Sequence, residues 1–270
     1  MLRDITIGQY FPGESVIHRL DARTKIGITI LFIIAVFIPK NLVGLFAAVL
    51  FVVAGYLLSG IPIKMATKSL KPIIPIIVFT AALNILFTGG DEVFSLFFIT
   101  ITKQGIMMAV IMIVRIICLI AGSSLLTYTT SPIALTDAIE YLLSPLKVFK
   151  FPAHELAMMM TIALRFIPTL IEETDKIMSA QKARGADLES GGIIERARAL
   201  IPILVPLFIS AFRRADELAL AMECRCYHGG EGRTRLRKLT FETRDFIALA
   251  LSLVFFVFMM MLNGIFPPAY

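Results

Sequence analysis

Two arginines in this sequence occupy corresponding places, each near the end of a long predicted helix and among small residues. Arg184 stands in Ala183-Arg184-Gly185, and Arg225 stands in Cys224-Arg225-Cys226. A guanidinium group is a planar fork of donors that binds a carboxylate through two parallel hydrogen bonds, which a lysine cannot do. A cation in the last helical turn also stabilises the helix dipole, and this simpler role explains many such arginines. The repeated ending favours a second role, in which each charged helix tip docks on another protein.

A second set of residues with chemical potential follows the second arginine. Cys224, Cys226 and His228 carry atoms that can ligate a metal. A structural zinc site needs four ligands, and the spacing here lacks a second ligand pair. We therefore predict neither a metal nor another cofactor, and we expect the thiols to be free, as is usual in a reducing cytoplasm.

Catalytic motifs do not appear in the sequence. The segment 229–234 is rich in glycine, but it lacks the lysine of a phosphate-binding loop and follows a helix rather than a strand. The adjacent pairs His154-Glu155 and Glu172-Glu173 have no evident partner for acid–base chemistry and are expected to be solvated helix residues. We predict that the chain is not an enzyme.

The composition indicates an integral membrane protein. Hydrophobic residues make up 57% of the 270 residues, and the mean hydropathy is +0.84. Several apolar runs approach the roughly 20 residues that a helix needs to cross a bilayer. We predict an all-α membrane protein with about five transmembrane helices, at 26–38, 42–58, 72–87, 105–126 and 246–263. The apolar segment 93–101 is too short to cross and is predicted to be interfacial or re-entrant.

The distribution of basic residues predicts the orientation in the membrane. Arg19, Arg23 and Lys25 precede the first predicted span, and three lysines at 64, 68 and 71 follow the second. Since cytoplasmic loops carry an excess of Lys and Arg, the N-terminus is expected in the cytoplasm of a multi-pass protein of the cell membrane. The net charge of +6 is therefore attributed to topology, and no nucleic-acid partner is predicted.

The chain divides into three predicted regions. Residues 1–128 hold the N-terminal segment and four spans, 129–243 form a cytoplasmic helical domain, and 244–270 hold the last span and the tail. Apolar residues at three-and-four spacing predict two long helices in the middle region, at 151–187 and 192–229. Ser131-Pro132 is typical of a helix start, and Gly185 and Gly229 are typical helix stops.

Arg115 lies near the middle of the fourth predicted span. A charge at that depth costs at least about 2.5 kcal/mol, so the side chain must face protein or water. Two interpretations stay open: a structural pair inside the helix bundle, or a contact with a partner that carries the substrate.

Several motifs in chain order resemble one known family. They are Tyr10-Phe11-Pro12-Gly13-Glu14-Ser15, His18-Arg19-Leu20-Asp21, Arg23-Thr24-Lys25, Thr129-Thr130-Ser131-Pro132, Arg165-Phe166-Ile167-Pro168 and Gln181-Lys182-Ala183-Arg184-Gly185. The set covers nearly the whole chain and resembles the transmembrane coupling subunit of energy-coupling-factor transporters, the CbiQ/EcfT family.

The resemblance implies that both arginine motifs, Ala183-Arg184-Gly185 and Cys224-Arg225-Cys226, dock in grooves of two ATP-binding-cassette ATPase subunits. The second motif departs from the family pattern on both sides of the arginine, which leaves its helix end open. Gly229 or Gly230 could supply the stop one turn later. The resemblance further implies a separate substrate-binding membrane subunit that lies against the long helices.

Apolar side chains on the long helices are candidates for that contact, with Arg115 as a further one: Met158, Met159, Leu164, Leu204 and Phe208. The simpler interpretation is that these residues pack the two helices together. The leading hypothesis is a non-catalytic subunit that couples ATP hydrolysis in its partners to vitamin or micronutrient uptake. The alternative is a self-contained membrane channel or membrane enzyme.

Overall fold

The computed structural model describes residues 10–39, 41–96, 99–149, 151–186, 192–229 and 239–266. Most of these residues are helical, which confirms the predicted all-α class. The elements are α1 (Ala22–Phe37), α2 (Leu42–Ser59), α3 (Ile63–Leu70), α4 (Ile74–Phe87), β1 (Glu92–Leu96), β2 (Ile99–Thr102), α5 (Lys103–Thr129), α6 (Pro132–Leu143), α7 (Ala153–Ala183), α8 (Ile193–Glu223) and α9 (Thr243–Ile265). Short 3₁₀ turns at Lys71–Ile73 and Ser144–Phe149 precede α4 and follow α6.

The chain forms two compact units. The bundle unit comprises Gly8–Ala138 and Leu239–Tyr270, and the long-helix unit comprises Ile139–Lys238. In the bundle unit, α5 packs against α1, α2, α3 and α4, and α1 packs against α9. Phe32, Phe51 and Phe255 stack between α1, α2 and α9, with ring centroids 5.3 and 4.3 Å apart. At Gly122 of α5, an added Cβ would lie 2.4 Å from the Phe32 ring, so this close approach requires glycine.

Five helical segments are long and apolar enough to cross a membrane. Four of them, Leu42–Ser59, Ile63–Phe87, Lys103–Thr129 and Thr243–Ile265, contain the second to fifth predicted spans. The first predicted span corresponds to α1, which has 16 residues and is not among the five. The fifth candidate is α7, whose mean hydropathy of 1.3 is well below the values of 2.0 to 2.5 of the others. The chain is a multi-pass membrane protein.

Two segments differ from the sequence-based expectation. The lysine-rich segment after α2 was expected to be a loop, but it forms α3, which places Lys64 and Lys68 in solvent and packs Met65 and Ala66 beside Tyr56 and Tyr128. The segment 93–101 contributes to two antiparallel strands, with Phe94 opposite Ile101. Gly60, with φ 70°, ends α2 where the sequence predicts a break.

α6 begins where the sequence predicts a helix start. Ser131 Oγ accepts a hydrogen bond from the backbone N–H of Ala134 at 3.3 Å, and Pro132 is the first residue of α6. α7 and α8 have 31 residues each, so each is roughly 46 Å long. Both end earlier than the predicted 187 and 229. The linker predicted at 187–192 lies outside the described residues except for Gly192.

Two contacts between α7 and α8 fix their relative direction. Gln181 of α7 bonds to Pro202 of α8, and Glu173, two turns earlier, bonds to Ser210, two turns later. The contact that lies earlier in α7 is the one that lies later in α8, so the two helices are antiparallel. The C-terminal ends of α7 and α8 therefore point in opposite directions.

Candidate functional site

The first helix tip ends in a motif built on glycine. Gly185 adopts the left-handed conformation with φ 85°, which glycine reaches without strain. Its N–H donates to the carbonyl of Lys182 at 3.0 Å, and the N–H of Ala186 donates to the carbonyl of Gln181 at 3.0 Å. These two bonds define a Schellman motif, which satisfies carbonyl groups at the helix end.

The second helix tip ends in the same motif without a glycine. Cys226 has φ 56° and is the sole non-glycine residue with positive φ in the described part of the chain. Its N–H donates to the carbonyl of Glu223 at 2.9 Å, and the N–H of Tyr227 donates to the carbonyl of Met222 at 3.1 Å. The stop thus comes at Cys226. The alternative that the helix continues for another turn to Gly229 is wrong.

The matching motifs place Arg184 and Arg225 identically. Each arginine directly precedes the left-handed residue, and each is exposed. Ala183, Gly185, Cys224 and Cys226, which flank them, are exposed as well. Among the described residues, no ion pair joins either guanidinium to a carboxylate. Because α7 and α8 are antiparallel, the structure presents two equivalent cationic tips at opposite ends of one helix pair.

Pro206 in α8 leaves a backbone carbonyl free to bind Gln181, near the first tip. In a helix the carbonyl of Pro202 would accept from the N–H of residue 206, but Pro206 has none. The side-chain amide of Gln181 donates to that carbonyl instead, at 3.2 Å. A backbone acceptor that the sequence leaves without its helical partner thereby becomes a contact between α7 and α8, three residues before Arg184.

A charged cluster links the two helices at Glu173, two turns before Gln181 in α7. Glu173 of α7 accepts from the Ser210 hydroxyl and from Arg214 Nη2, the latter at 3.0 Å. The Arg214 and Glu173 side chains are partly exposed, at 36 and 24%. The cluster connects both helices by polar contacts of defined geometry, which apolar packing alone would not provide.

The apolar residues proposed for a partner contact divide into two groups. Met159, Leu204 and Phe208 are exposed, and Met158 and Leu164 are partly buried. The interpretation that all five pack the two helices together is wrong for Phe208, whose exposure is 60%. The face of Leu204 and Phe208 on α8 also includes three further exposed apolar residues, Ile201, Val205 and Phe212.

Arg115 lies inside the bundle unit and is 8% exposed. Its Nη2 donates to the carbonyl of Pro39 at 2.8 Å, in the turn between α1 and α2, and its guanidinium carbon lies 5.9 Å from the centre of the Phe37 ring. The expected structural partner was a charged group, whereas the observed one is a backbone carbonyl. No sequence signal points to such a partner.

The N-terminal motif holds together helix ends that are far apart in sequence. The N–H of Phe11 donates to the carbonyl of Tyr128 at 2.9 Å, and Lys25 Nζ donates to the carbonyl of Thr129 at 2.8 Å. The N–H of Asp21 donates to the Asp245 carboxylate at 2.8 Å. The segment therefore joins the start of α1 to the end of α5 and the start of α9.

Asp21 is the N-cap of α1 and forms a buried ion pair with Arg23, with Oδ2 and Nη2 2.7 Å apart. Burial of Asp21 opposes ionisation, but the hydrogen bonds from Arg23 and the charges of Arg23 and Lys25 outweigh it and hold the pKa of Asp21 below its usual value. The carboxylate is thus ionised near neutral pH.

The fold and the two tips together define a class of protein: a multi-pass helical membrane protein with two exposed arginines at the ends of an antiparallel helix pair. The family described as "Cobalt transport protein" (CbiQ) matches residues 13–236, which is most of the chain. Similar proteins carry the name energy-coupling factor transporter transmembrane protein EcfT. One, from Ruminiclostridium cellulolyticum, is 53% identical over 98% of this chain and 100% of the relative.

Two further relatives with that name are similar to this chain over nearly its whole length. The protein of Clostridium kluyveri is 56% identical over 94% of this chain and 95% of its own length. The protein of Bacillus subtilis is 49% identical over 91% and 93%, respectively. The chain belongs to the EcfT family of energy-coupling factor transporter transmembrane subunits.

Proposed function

We propose that this chain is the non-catalytic coupling subunit of an importer, and that Arg184 and Arg225 transmit the motion of two ATPase subunits to a substrate-binding membrane subunit. The observation that carries the proposal is the equivalence of the two tips. Cys226 holds a backbone conformation that glycine adopts far more readily, and by doing so it gives Arg225 the same position that Arg184 has. A role limited to the helix dipole does not require such a match, because the dipole interaction needs only a cation in the last turn.

The opposite directions of the tips suit two separate ATPase subunits. If each subunit grips one tip through carboxylates, closure of the ATPase pair on ATP applies forces at both ends of the α7–α8 pair. The contacts of Gln181 with Pro202, and of Glu173 with Arg214, then make the two helices move together as one rigid body. The long-helix unit is accordingly assigned to the cytoplasm, together with the N-terminus.

The exposed apolar face of α8 is assigned to the substrate-binding membrane subunit. Exposed contiguous apolar residues in one stripe mark an interaction surface. Leu204 and Phe208 lie at its centre. Met159 of α7, exposed elsewhere on the helix pair, offers a second, pliable contact that adapts to different surfaces. Substrate choice, for a vitamin or another micronutrient, then belongs to the partner that binds this face.

Arg115 is assigned a structural role in the bundle. Its side chain is buried by residues of its own chain and fastened to the α1–α2 turn through the Pro39 carbonyl. A contact with the substrate-binding subunit would require an accessible guanidinium. Arg115→Met should therefore lower the amount of folded chain, whereas complexes that do assemble should take up substrate at a normal rate.

The proposed role of the tips is tested by substrate uptake in cells that express the chain with its partner subunits. Arg184→Ala and Arg225→Ala should each lower uptake at least about fivefold, because loss of one member of an interface charge pair costs ~2–5 kcal/mol. Arg184→Lys should be nearly as damaging, since lysine lacks the planar fork. Arg198→Ala and Arg213→Ala, at exposed arginines elsewhere on α8, are the matched controls and should transport normally. Full uptake by Arg184→Lys would support a dipole role instead.

A further inference from the structure

The bundle unit contains an apolar cavity of about 210 Å³ between four helices. α1 contributes Ile28 and Phe32 to the wall, α2 contributes Gly55, and α5 contributes Leu125. Lys25, in the first turn of α1, lies at one end. A fully enclosed apolar cavity of roughly 150 Å³ is known to stay dry and to accept apolar guests. This cavity is larger and open on one side, and its apolar wall favours a hydrocarbon occupant over water in the same way.

The hydroxyl groups on the wall do not change this character. Thr29 donates to the carbonyl of Lys25 at 2.8 Å, Tyr56 to the carbonyl of Ala121 at 3.1 Å, and Ser252 to the carbonyl of Leu249 at 2.8 Å. Each hydroxyl is thus already bonded to backbone. What the cavity offers a guest is a hydrocarbon surface with the Lys25 ammonium group at one end, close to the carboxylates of Asp21 and Asp245.

We place the opening of the cavity between α2 and α9. Leu58 of α2 and Leu251 of α9 both line it, and they are 63 and 65% exposed. Both leucines belong to helices that are candidate membrane spans, so this exposed edge faces the lipid bilayer. At the inner end the aromatic stack of Phe32, Phe51 and Phe255 separates the cavity from the rest of the helix core.

The charge of Lys25, at the end of the cavity away from the aromatic stack, favours one kind of occupant. Lys25 Nζ has three donors, and its hydrogen bonds to the carbonyls of His18 and Thr129 use two of them. Arg19, in the segment that covers this end, is exposed and pairs with the exposed Glu14 at 3.3 Å. Basic groups at the membrane surface attract the anionic headgroups of the cytoplasmic leaflet. An apolar side chain from a partner subunit would fill the apolar part but would make no use of this charge.

We propose that this cavity binds an acyl chain of an anionic phospholipid, which enters between α2 and α9 with its headgroup toward Lys25. The bound chain would fill space that α1, α2, α5 and α9 leave empty and would support the helix ends that the N-terminal segment joins. This site is separate from the two arginine tips, so the proposal stands or falls independently of the docking role.

The absence of tryptophan from the sequence makes a direct test possible. Phe32→Trp places the sole tryptophan on the cavity wall, at a position 4% exposed, where bulk lipid does not reach it. The full chain is reconstituted in phosphatidylglycerol vesicles with or without bromines on the acyl chains, since bromine quenches tryptophan fluorescence on contact. We expect brominated lipid to reduce the fluorescence at least twofold, and to reduce it less in brominated phosphatidylcholine.

A matched pair of second substitutions controls the test. In the Phe32→Trp background, Ala54→Phe adds a ring to the cavity wall and should abolish the quenching, whereas Val53→Phe adds the same ring at an exposed site outside the cavity and should not. Leu251→Trp, at the opening, shows that the vesicles quench an accessible reporter, and Phe51→Trp serves as the wall reporter if Phe32→Trp does not fold. An unquenched wall reporter beside a quenched Leu251→Trp would overturn the proposal. Equal quenching with and without Ala54→Phe, or in both lipids, would also overturn it.

Discussion

Cys226 in the second helix tip occupies the position that Gly185 occupies in the first. Both residues are left-handed, with φ 56° and 85°, and both donate to the carbonyl three residues earlier, at 2.9 and 3.0 Å. The residue before each is the exposed arginine of the tip. Two sequences that share only that arginine therefore give one local structure.

Replacement of Cys226 by glycine should strengthen the second tip. A side chain in the left-handed region costs about 1 kcal/mol or more, which glycine avoids. We expect Cys226→Gly to slow hydrogen exchange of the Cys226 and Tyr227 amides roughly fivefold, since both amides bond within the motif. Cys224→Gly is the control: Cys224 has φ −61°, so glycine there should speed exchange. Slower exchange in both variants, or in neither, would show that Cys226 is not strained.

The Glu173–Arg214 pair should couple the two long helices measurably. Glu173→Gln and Arg214→Met, alone and together, form a double-mutant cycle on the free energy of unfolding of the full chain. For a partly exposed pair we expect a coupling of about 0.5–1 kcal/mol. Arg213→Met, at the exposed neighbouring arginine, should show no coupling with Glu173→Gln. A Glu173–Arg214 coupling near zero would mean that apolar packing alone joins α7 to α8.

The Asp21–Arg23 ion pair should make the stability of the chain depend on acid pH. The pKa of Asp21 is lowered in the folded chain, so its contribution is present above the unfolded value of about 4 and is lost as the pH falls through the lower folded value. At neutral pH, Asp21→Asn should cost ~3 kcal/mol because it removes the carboxylate that binds the buried Arg23 guanidinium.

Thermal unfolding of the full chain between pH 7 and 3 measures this effect. The Asp21→Asn variant should lose less stability over that range than the wild-type chain. Glu14→Gln, in the exposed Glu14–Arg19 pair of the same segment, is the control and should change stability by less than about 1 kcal/mol. Parallel pH profiles for Asp21→Asn and wild type would contradict the assignment.

The native cysteines provide a test of topology without any substitution. Cys224 and Cys226 are exposed and Cys118 is buried. If the long-helix unit is cytoplasmic, a membrane-impermeant thiol reagent should label the wild-type chain only after the cells are permeabilised. Leu42→Cys and Phe266→Cys, at exposed positions predicted to lie outside, should be labelled in intact cells. Labelling of the wild-type chain in intact cells would reverse the proposed orientation.

The sequence predicted those parts of the fold that local chemistry determines. Ser131-Pro132 marks the start of α6, Gly60 ends α2, and Gly185 ends the first tip, each because the residue type suits one backbone conformation. The lysine-rich segment of α3 was assigned to a loop because its charges were interpreted as topology. The same lysines, four residues apart, lie on one face of a helix whose other face is packed.

The remaining features depend on contacts that no local pattern encodes. A cysteine in the left-handed conformation has no sequence signature, so the end of α8 could not be predicted. The partner of Arg115 is the carbonyl of Pro39, 76 residues away, and every residue has such a carbonyl. Of the candidate site, the two arginines could be predicted from the sequence, but their equivalent positions and opposite directions required the structure.

Co-purification of the ATPase subunits with the Arg184→Ala/Arg225→Ala double variant tests the central claim most directly. The full chain is expressed with its partner subunits and isolated through an affinity tag, beside wild type and an Arg198→Ala/Arg213→Ala control with the same change in charge. We predict that the control retains both ATPase subunits and that the double tip variant loses them while the substrate-binding subunit still co-purifies. If the double tip variant retains both ATPase subunits in wild-type amounts, the two arginines are only solvated helix caps and the proposed coupling contacts are wrong.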